Sequence, residues 1–374
     1  MRRIFLSPVF LVFLLVSCVD DKTSGCSTFA LSDFESVNVS ISESVPLECK
    51  DLFLGRPMSL VYHPDDFLLV RDSRPSRQLT VVDLRKMTSS SEVNRGRSAN
   101  ELLYLWDVSV LERDVYLSSL NDNKLLKMKY DSDGRTFKYE ETFVVPESFL
   151  RCVPIQDGYL TFASVTSKHR FHIWDKDMEI RDTLGTFPTE RITSDILLDN
   201  AVLQSVLAVA PDGHRFATAY IGADCIDIYD DRELSARLWG PERHKLSVKT
   251  KSTFDGRQFS FLTPDITVFT HLAATETSLY AGYVGTQIHK HSKFEQDNFK
   301  IKMILSFSWT GKPLKAYILD KPVDSFCVDE RSGTFYFLIS NPEYEIRYYK
   351  NHIIVDKENN AHGEHSLTTN NYKL

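Results

Sequence analysis

The stretch Asp212-Gly213-His214-Arg215-Phe216-Ala217-Thr218-Ala219-Tyr220, followed closely by Ile226-Asp227-Ile228-Tyr229-Asp230, decides the fold. A polar turn opens an alternating run, and a second alternating run closes on Asp. Period-two alternation bounded by turn residues is the pattern of short antiparallel strands joined by hairpins. Working outward, the second run returns as Leu79-Thr80-Val81-Val82-Asp83, Lys127-Met128-Lys129-Tyr130-Asp131 and Phe171-His172-Ile173-Trp174-Asp175. Looser copies are Leu305 to Gly311 and Glu345 to Lys350. The first run returns at Pro64 to Val70, Arg113 to Leu117, Asp157 to Phe162, Glu276 to Tyr283 and Ser332 to Leu338. Another apolar strand precedes each turn, such as Val108-Ser109-Val110-Leu111, and a fourth follows most closing turns, such as Leu314 to Leu319.

The unit is therefore four short antiparallel strands, and it occurs six times. The closing positions Asp83, Asp131, Asp175 and Asp230 are spaced like propeller blades, at about 40–50 residues per unit. The longer step to Thr310 implies insertions, supplied by 240–268 and 286–300. The expected fold is all-β, a six-bladed β-propeller with four antiparallel strands per blade. It is expected over residues 36–357, with a polar tail at 358–374. A ring must be closed, and Val37 to Leu47, alternating as Val37, Val39 and Ile41, is expected to complete the sixth blade as its outer strand. The rival is Ile353-Ile354-Val355.

Composition agrees. The 374 residues are 42% hydrophobic and 25% charged, which suits a folded globular chain. A net charge of −7 argues against a nucleic-acid partner, which would require a basic footprint.

The N-terminus reads as an address. Arg2 and Arg3 precede an apolar run from Ile4 to Val16, too short to span a bilayer and of signal-peptide length. It ends in Leu15-Val16-Ser17-Cys18, which resembles the bacterial lipobox. The resemblance implies a signal peptide over 1–17, lipidation of Cys18 and a tether over 18–35. Val19-Asp20-Asp21-Lys22 is similar to the surface-export signals of Bacteroidetes lipoproteins. The expected location is the cell envelope, as an outer-membrane lipoprotein exposed at the surface, with the membrane as one partner.

Five cysteines remain after Cys18, an odd number that cannot form a closed disulfide framework. Cys152, Cys225 and Cys327 sit in alternating apolar runs and read as buried hydrophobes; Cys26 and Cys49 are able to pair, though their spacing does not demand it. Lipobox, leader strand and six degenerate blades together resemble the six-bladed, TolB-like β-propeller lipoproteins of Bacteroidetes. Members often carry a Gly-Arg-Gly-Pro-x-Glu turn after the first blade; here Gly96, Arg97 and Glu101 match it, with Ser98 and Ala99 replacing Gly-Pro. The resemblance implies the fold and carries no assigned activity.

Catalytic signatures are missing: no GxSxG, HExxH, P-loop or GxGxxG is present. His289 and His291 read as a solvated loop rather than metal ligands. Asp131-Ser132-Asp133-Gly134 reads as a hairpin turn, since Thr142 stands where a calcium loop needs Glu. Neither a cofactor nor a metal is expected. Trp106-Asp107 and Trp174-Asp175 read as coincidence with WD repeats. The candidate site is a rim of inter-strand and inter-blade connections carrying Arg71, Asp72, Arg74, Arg77, Arg97, Glu101, Lys168 and His169. Its convergent charges suit a polar or anionic ligand. The opposite face, with the Asp-Gly turns at 157–158 and 212–213, is the alternative. The expected role is a non-enzymatic binding or scaffold module for a protein, peptide or glycan; the rival is a propeller hydrolase or lyase acting on a sugar or lactone.

Overall fold

The computed structural model describes residues 26–350 apart from 74–75, 164–166, 168, 189–202, 253, 257, 288–298 and 341–342. Cys18, the strand 353–355, the tail and the His289/His291 pair lie outside the described residues.

Six four-stranded blades form the ring, as the repeat requires. Three leader strands come first: β1 (Cys26–Thr28), β2 (Glu35–Val39) and β3 (Val45–Pro46). Blade one is β4 (Pro57–His63), β5 (Phe67–Asp72), β6 (Arg77–Asp83) and β7 (Thr88–Asn94). Blade two is β8 (Asp107–Leu111), β9 (Asp114–Ser119), β10 (Lys124–Asp131) and β11 (Thr136–Val144). Blade three is β12 (Cys152–Ile155), β13 (Gly158–Phe162), β14 (Phe171–Trp174) and β15 (Ile180–Leu184). Blade four is β16 (Ser205–Val209), β17 (Phe216–Tyr220), β18 (Cys225–Asp230) and β19 (Glu233–Trp239). A separate hairpin follows, β20 (Ser247–Ser252) and β21 (Gln258–Thr263), within the expected insertion. Blade five is β22 (Ile266–Ala274), β23 (Ser278–Gln287), β24 (Ile301–Ser308) and β25 (Pro313–Val323). Blade six is β26 (Ser325–Asp329), β27 (Thr334–Ser340) and β28 (Tyr344–Lys350) with β3.

The core is divided among the blade boundaries. Each pair of neighbouring blades shares one buried cluster, because alternation sends every second side chain of a strand toward the next blade. Blade four also buries an ion pair. Arg237 donates from Nε to Asp227 Oδ1 at 2.7 Å and from Nη2 to Oδ2 at 3.0 Å, and the Tyr220 hydroxyl donates to the same carboxylate at 2.9 Å.

Closure corrects the sequence-based expectation. Of the stretch Val37 to Leu47, only Val45–Pro46 pairs with blade six, antiparallel to β28 through Tyr348↔Val45 and Arg347↔Pro46. The alternating Val37 and Val39 belong to β2, which lies parallel on the outer edge of blade five, Val37 opposite Tyr317 and Val39 opposite Leu319. Alternation announces an edge strand with one buried face, but it encodes neither the partner nor the direction. The tether expected over 18–35 also ends sooner, since Cys26–Thr28 is a parallel fifth strand on blade four. The leader thus clasps three successive blades from outside and covers edges that would otherwise stand open.

Two aromatic rings fix the clasp. Phe29 and Phe34 are buried and meet Phe307 of blade five, with each ring centroid 5.2 Å from it in edge-on geometry. Asp320 receives the next turn, accepting the Ile41 N–H at 2.6 Å and the Ser40 hydroxyl at 3.1 Å. Gly240 has φ +154, and a Cβ there would lie 2.2 Å from the Phe29 carbonyl, so only glycine lets the leader approach. Cys49 is a free thiol, so the pairing considered for Cys26 and Cys49 is not made. Asp131 to Gly134 forms the expected turn, the Asp131 carboxylate accepting the Asp133 and Gly134 N–H groups.

Candidate functional site

The innermost strands β4, β8, β12, β16, β22 and β26 surround the axis and run in one sense. All six enter from the side of the inter-blade connections and leave at the first hairpin turn of their blade. These are the connection side and the turn side of the ring.

A cavity of 310 Å³ occupies the channel, toward the turn side. Its wall is apolar, with Leu60, Val108, Val153, Leu207, Leu272 and Val328 giving one lining residue per blade. Its mouth is formed by turn residues, including Pro64, Glu112, Pro211, Glu276, Glu330 and Arg331. Asp329 lies just inside. The lining of the mouth is therefore mainly acidic, with Arg331 its one guanidinium.

The mouth is braced between blades. Arg331 of blade six reaches Asp66 of blade one at 3.0 Å and donates to the Tyr62 hydroxyl at 2.7 Å. Arg113 of blade two faces Asp65 at 3.4 Å, and Arg215 of blade four approaches Glu276 of blade five at 3.9 Å. Glu330 accepts the Thr275 hydroxyl at 2.8 Å. Partial burial works to raise the Asp66 carboxyl, but Arg85, Tyr62 and Arg331 outweigh it and hold the pKa below the usual value. The Tyr62 hydroxyl is pushed up by burial and stays protonated.

A polar plug closes the connection end. Arg151, just ahead of β12, binds Asp107 Oδ2 at 2.6 Å and the Ser205 carbonyl at 3.2 Å, tying blades two, three and four together. Arg71 donates to the Trp106 carbonyl and lies 6.0 Å over the Trp106 ring. Asp107 and His271 form the cavity floor. The His271 ring packs edge-on against Phe326 at 4.9 Å, and its shielded Nε2 has no hydrogen-bond partner. Burial lowers its pKa to about 4, despite a Phe326 backbone group and Asp107 pulling the other way, so the imidazole is neutral at pH 7. A floor with one ring nitrogen lacking a protein partner and one carboxylate can orient a polar group placed at the bottom of an apolar shaft.

None of the described residues of the expected rim lines this cavity. Arg71 stands behind the floor. Asp72 is buried and accepts the Gly55 and Arg56 N–H groups at 2.8 and 2.7 Å, which fixes the entry to blade one. Arg77 donates to the Ser91 carbonyl of its own blade. The Gly96 to Glu101 turn is tied up internally: Glu101 accepts the Ser98 N–H at 3.1 Å, and Lys124 Nζ binds the carbonyls of Arg97, Ser98 and Glu101. His169 is exposed, its N–H bound to Ser167 Oγ at 3.1 Å. Arg74 and Lys168 lie outside the described residues. Sequence reasoning missed Asp107, Arg151 and His271. The available signal was a charged residue at the start of an inner strand, as in Trp106-Asp107. Among the described residues no group of three His, Cys, Asp or Glu side chains is placed to hold a metal ion.

The family described as TolB-like 6-blade propeller-like matches residues 34–331, most of the chain, from the second leader strand through the inner strand of blade six. The chain belongs to this TolB-like propeller family. Among solved structures, a protein of Bacteroides fragilis NCTC 9343 described as a "putative exported protein" shares the fold at a TM-score of 0.50 and 13% identity, covering 85% of this chain and 99% of that one. Raptor of Chaetomium thermophilum aligns at a TM-score of 0.45 and 13% identity, over 82% of this chain and 28% of its own. The Cps50 (Swd1) propeller of Myceliophteria thermophila aligns at 0.42 and 11% identity, over 79% and 97%. No curated protein matches the sequence. For this TolB-like propeller, family membership accounts for the scaffold, and the site must be argued from its own residues.

Proposed function

We propose that this chain is a lipid-anchored outer-membrane propeller that acts as a binding module, taking a small ligand, or the end of a peptide or glycan, into its channel from the turn side. The observation that carries the reading is the 310 Å³ shaft with an apolar wall, an acidic mouth and a polar floor. That volume sits at the lower end of the range for ligand pockets, which suits one compact group and not a folded domain. Glu112, Glu276, Glu330 and Asp329 around the opening favour a ligand whose entering end is basic or rich in hydroxyl donors. The anchor rests on Arg2, Arg3, the apolar run to Val16 and the lipobox-like Leu15-Val16-Ser17-Cys18.

Two experiments test this. Short basic peptides and oligosaccharides are screened by thermal shift against the mature chain, Ala208→Phe, which fills the shaft, and Arg77→Glu on the opposite rim. A ligand lost in the first variant and kept in the second supports the channel; the reverse moves the site to the rim. For the anchor, Cys18→Ala should be removed from membranes by a high-salt wash that leaves the parent bound. Equal retention of both would contradict lipidation.

A further inference from the structure

The hairpin β20–β21 is not needed to complete any blade. Its base is fixed, because Leu246, Val248 and Leu262 are buried in the cluster between blades four and five. Its outer half is not. Lys249 and Lys251 are exposed and share one face of β20, Phe261 stands opposite Lys249, and Lys251 Nζ lies 5.3 Å from the Phe261 ring. At the tip Phe254 is fully exposed, beside Asp255 and Gly256. Residues 240–266 carry five Lys or Arg against three Asp or Glu, in a chain whose net charge is −7. An isolated basic projection with an aromatic tip is costly to leave in water and fits the boundary of an anionic bilayer, where the ring enters the headgroup region and the ammonium groups meet phosphates.

Position supports the same partner. The hairpin leaves the ring on the connection side, directly after β19, the strand on which β1 lies. β1 pairs with Arg237 to Trp239, the last residues of β19, so it lies near the base of the hairpin; being parallel to β19 it runs toward the connection side, with Thr28 nearer the hairpin than Cys26. From Cys18 to Cys26 is eight residues, a reach of at most about 26–29 Å. The six-residue arms of the hairpin project about 20 Å. These lengths let a tether that turns back at Cys26 place Cys18 on the same side of the ring as the Phe254 tip.

We propose that the β20–β21 hairpin is a second membrane contact, docking on anionic lipid headgroups through Lys249, Lys251 and Phe254. This sets the connection side toward the bilayer and leaves the channel mouth on the turn side facing away. The orientation rests on the lipid-anchor reading; the affinity of the hairpin for lipid does not.

The test uses the mature chain with Cys18→Ala, so that no acyl chain contributes. Sedimentation with vesicles of phosphatidylethanolamine and phosphatidylglycerol (3:1) should show binding that is absent with phosphatidylcholine and weakens from 0.1 to 0.5 M salt. Lys249→Glu/Lys251→Glu should weaken it at least tenfold and Phe254→Ser several-fold, with unchanged melting temperatures. No binding to anionic vesicles, equal binding to both lipids, or a charge-reversed hairpin that binds like its parent would each overturn the proposal. Incorporation of labelled palmitate into the wild-type chain and not into Cys18→Ala tests the anchor separately.

Discussion

Replacing Phe34 by Ala tests whether the leader is an integral part of the ring. The ring of Phe34 is 7% exposed and lies 5.2 Å from Phe307 and 5.8 Å from Phe29. Truncating a buried Phe typically costs about 3–5 kcal/mol, from lost transfer energy and the cavity left behind. The two edge-on ring contacts are each worth about 0.5–1.5 kcal/mol beyond area and fall within that sum. At about 2 cal/mol/K of unfolding entropy per residue, a domain of this length loses about 0.6–0.7 kcal/mol per degree near its midpoint. The melting temperature should therefore fall by about 4–8 °C. Urea unfolding of the mature chain, followed by tryptophan fluorescence and far-ultraviolet circular dichroism, supplies the free energy. Adding Phe29→Ala should then cost less than it does alone, because the rings share contacts. A loss under about 1 kcal/mol for Phe34→Ala, or strict additivity of the pair, would show that the leader rests on the ring without being built into it.

Three other outcomes follow from the same structure. Asp227→Asn removes the counter-charge of the buried Arg237 guanidinium and should cost about 3–5 kcal/mol in chemical unfolding, whereas Asp227→Leu/Arg237→Met should cost clearly less. Gly240→Ala should release the start of the leader, read as faster amide exchange at Phe29, because a Cβ has no room beside its carbonyl. His271 has a folded pKa of about 4 against 6.5 when exposed, so below pH 6.5 the unfolded chain takes up a proton that the folded chain refuses. Stability should accordingly fall by about 2 kcal/mol between pH 7 and pH 5 from this group. His271→Phe should remove that part of the slope, leaving the contribution of His63, whose pKa burial also lowers.

The six blades were legible because a hairpin is a local object. Gly213, the alternating Phe216 to Tyr220 and the closing Asp230 announce strand, turn and strand within a few residues. What the leader does was only half legible. Val37, Val39 and Ile41 mark a strand with one buried face, yet its placement on β25 depends on contacts with residues about 280 positions away. The site was the least legible, for a related reason. The cavity and its floor draw on all six inner strands, so Asp107, Arg151 and His271 never cluster in sequence. Arg71, Asp72, Arg97 and Glu101 do cluster in loops, and most of that charge serves the loops themselves: Asp72 holds Gly55 and Arg56, and Glu101 closes its own turn.

Whether the channel is a ligand site is tested most directly by native mass spectrometry of the mature protein purified gently from its own envelope. The wild-type chain should carry an adduct of small-molecule, short-peptide or oligosaccharide mass that is missing from Ala208→Phe and present in Arg77→Glu. An adduct retained by Ala208→Phe, or a wild-type chain that stays bare after exposure to envelope extract, would contradict it.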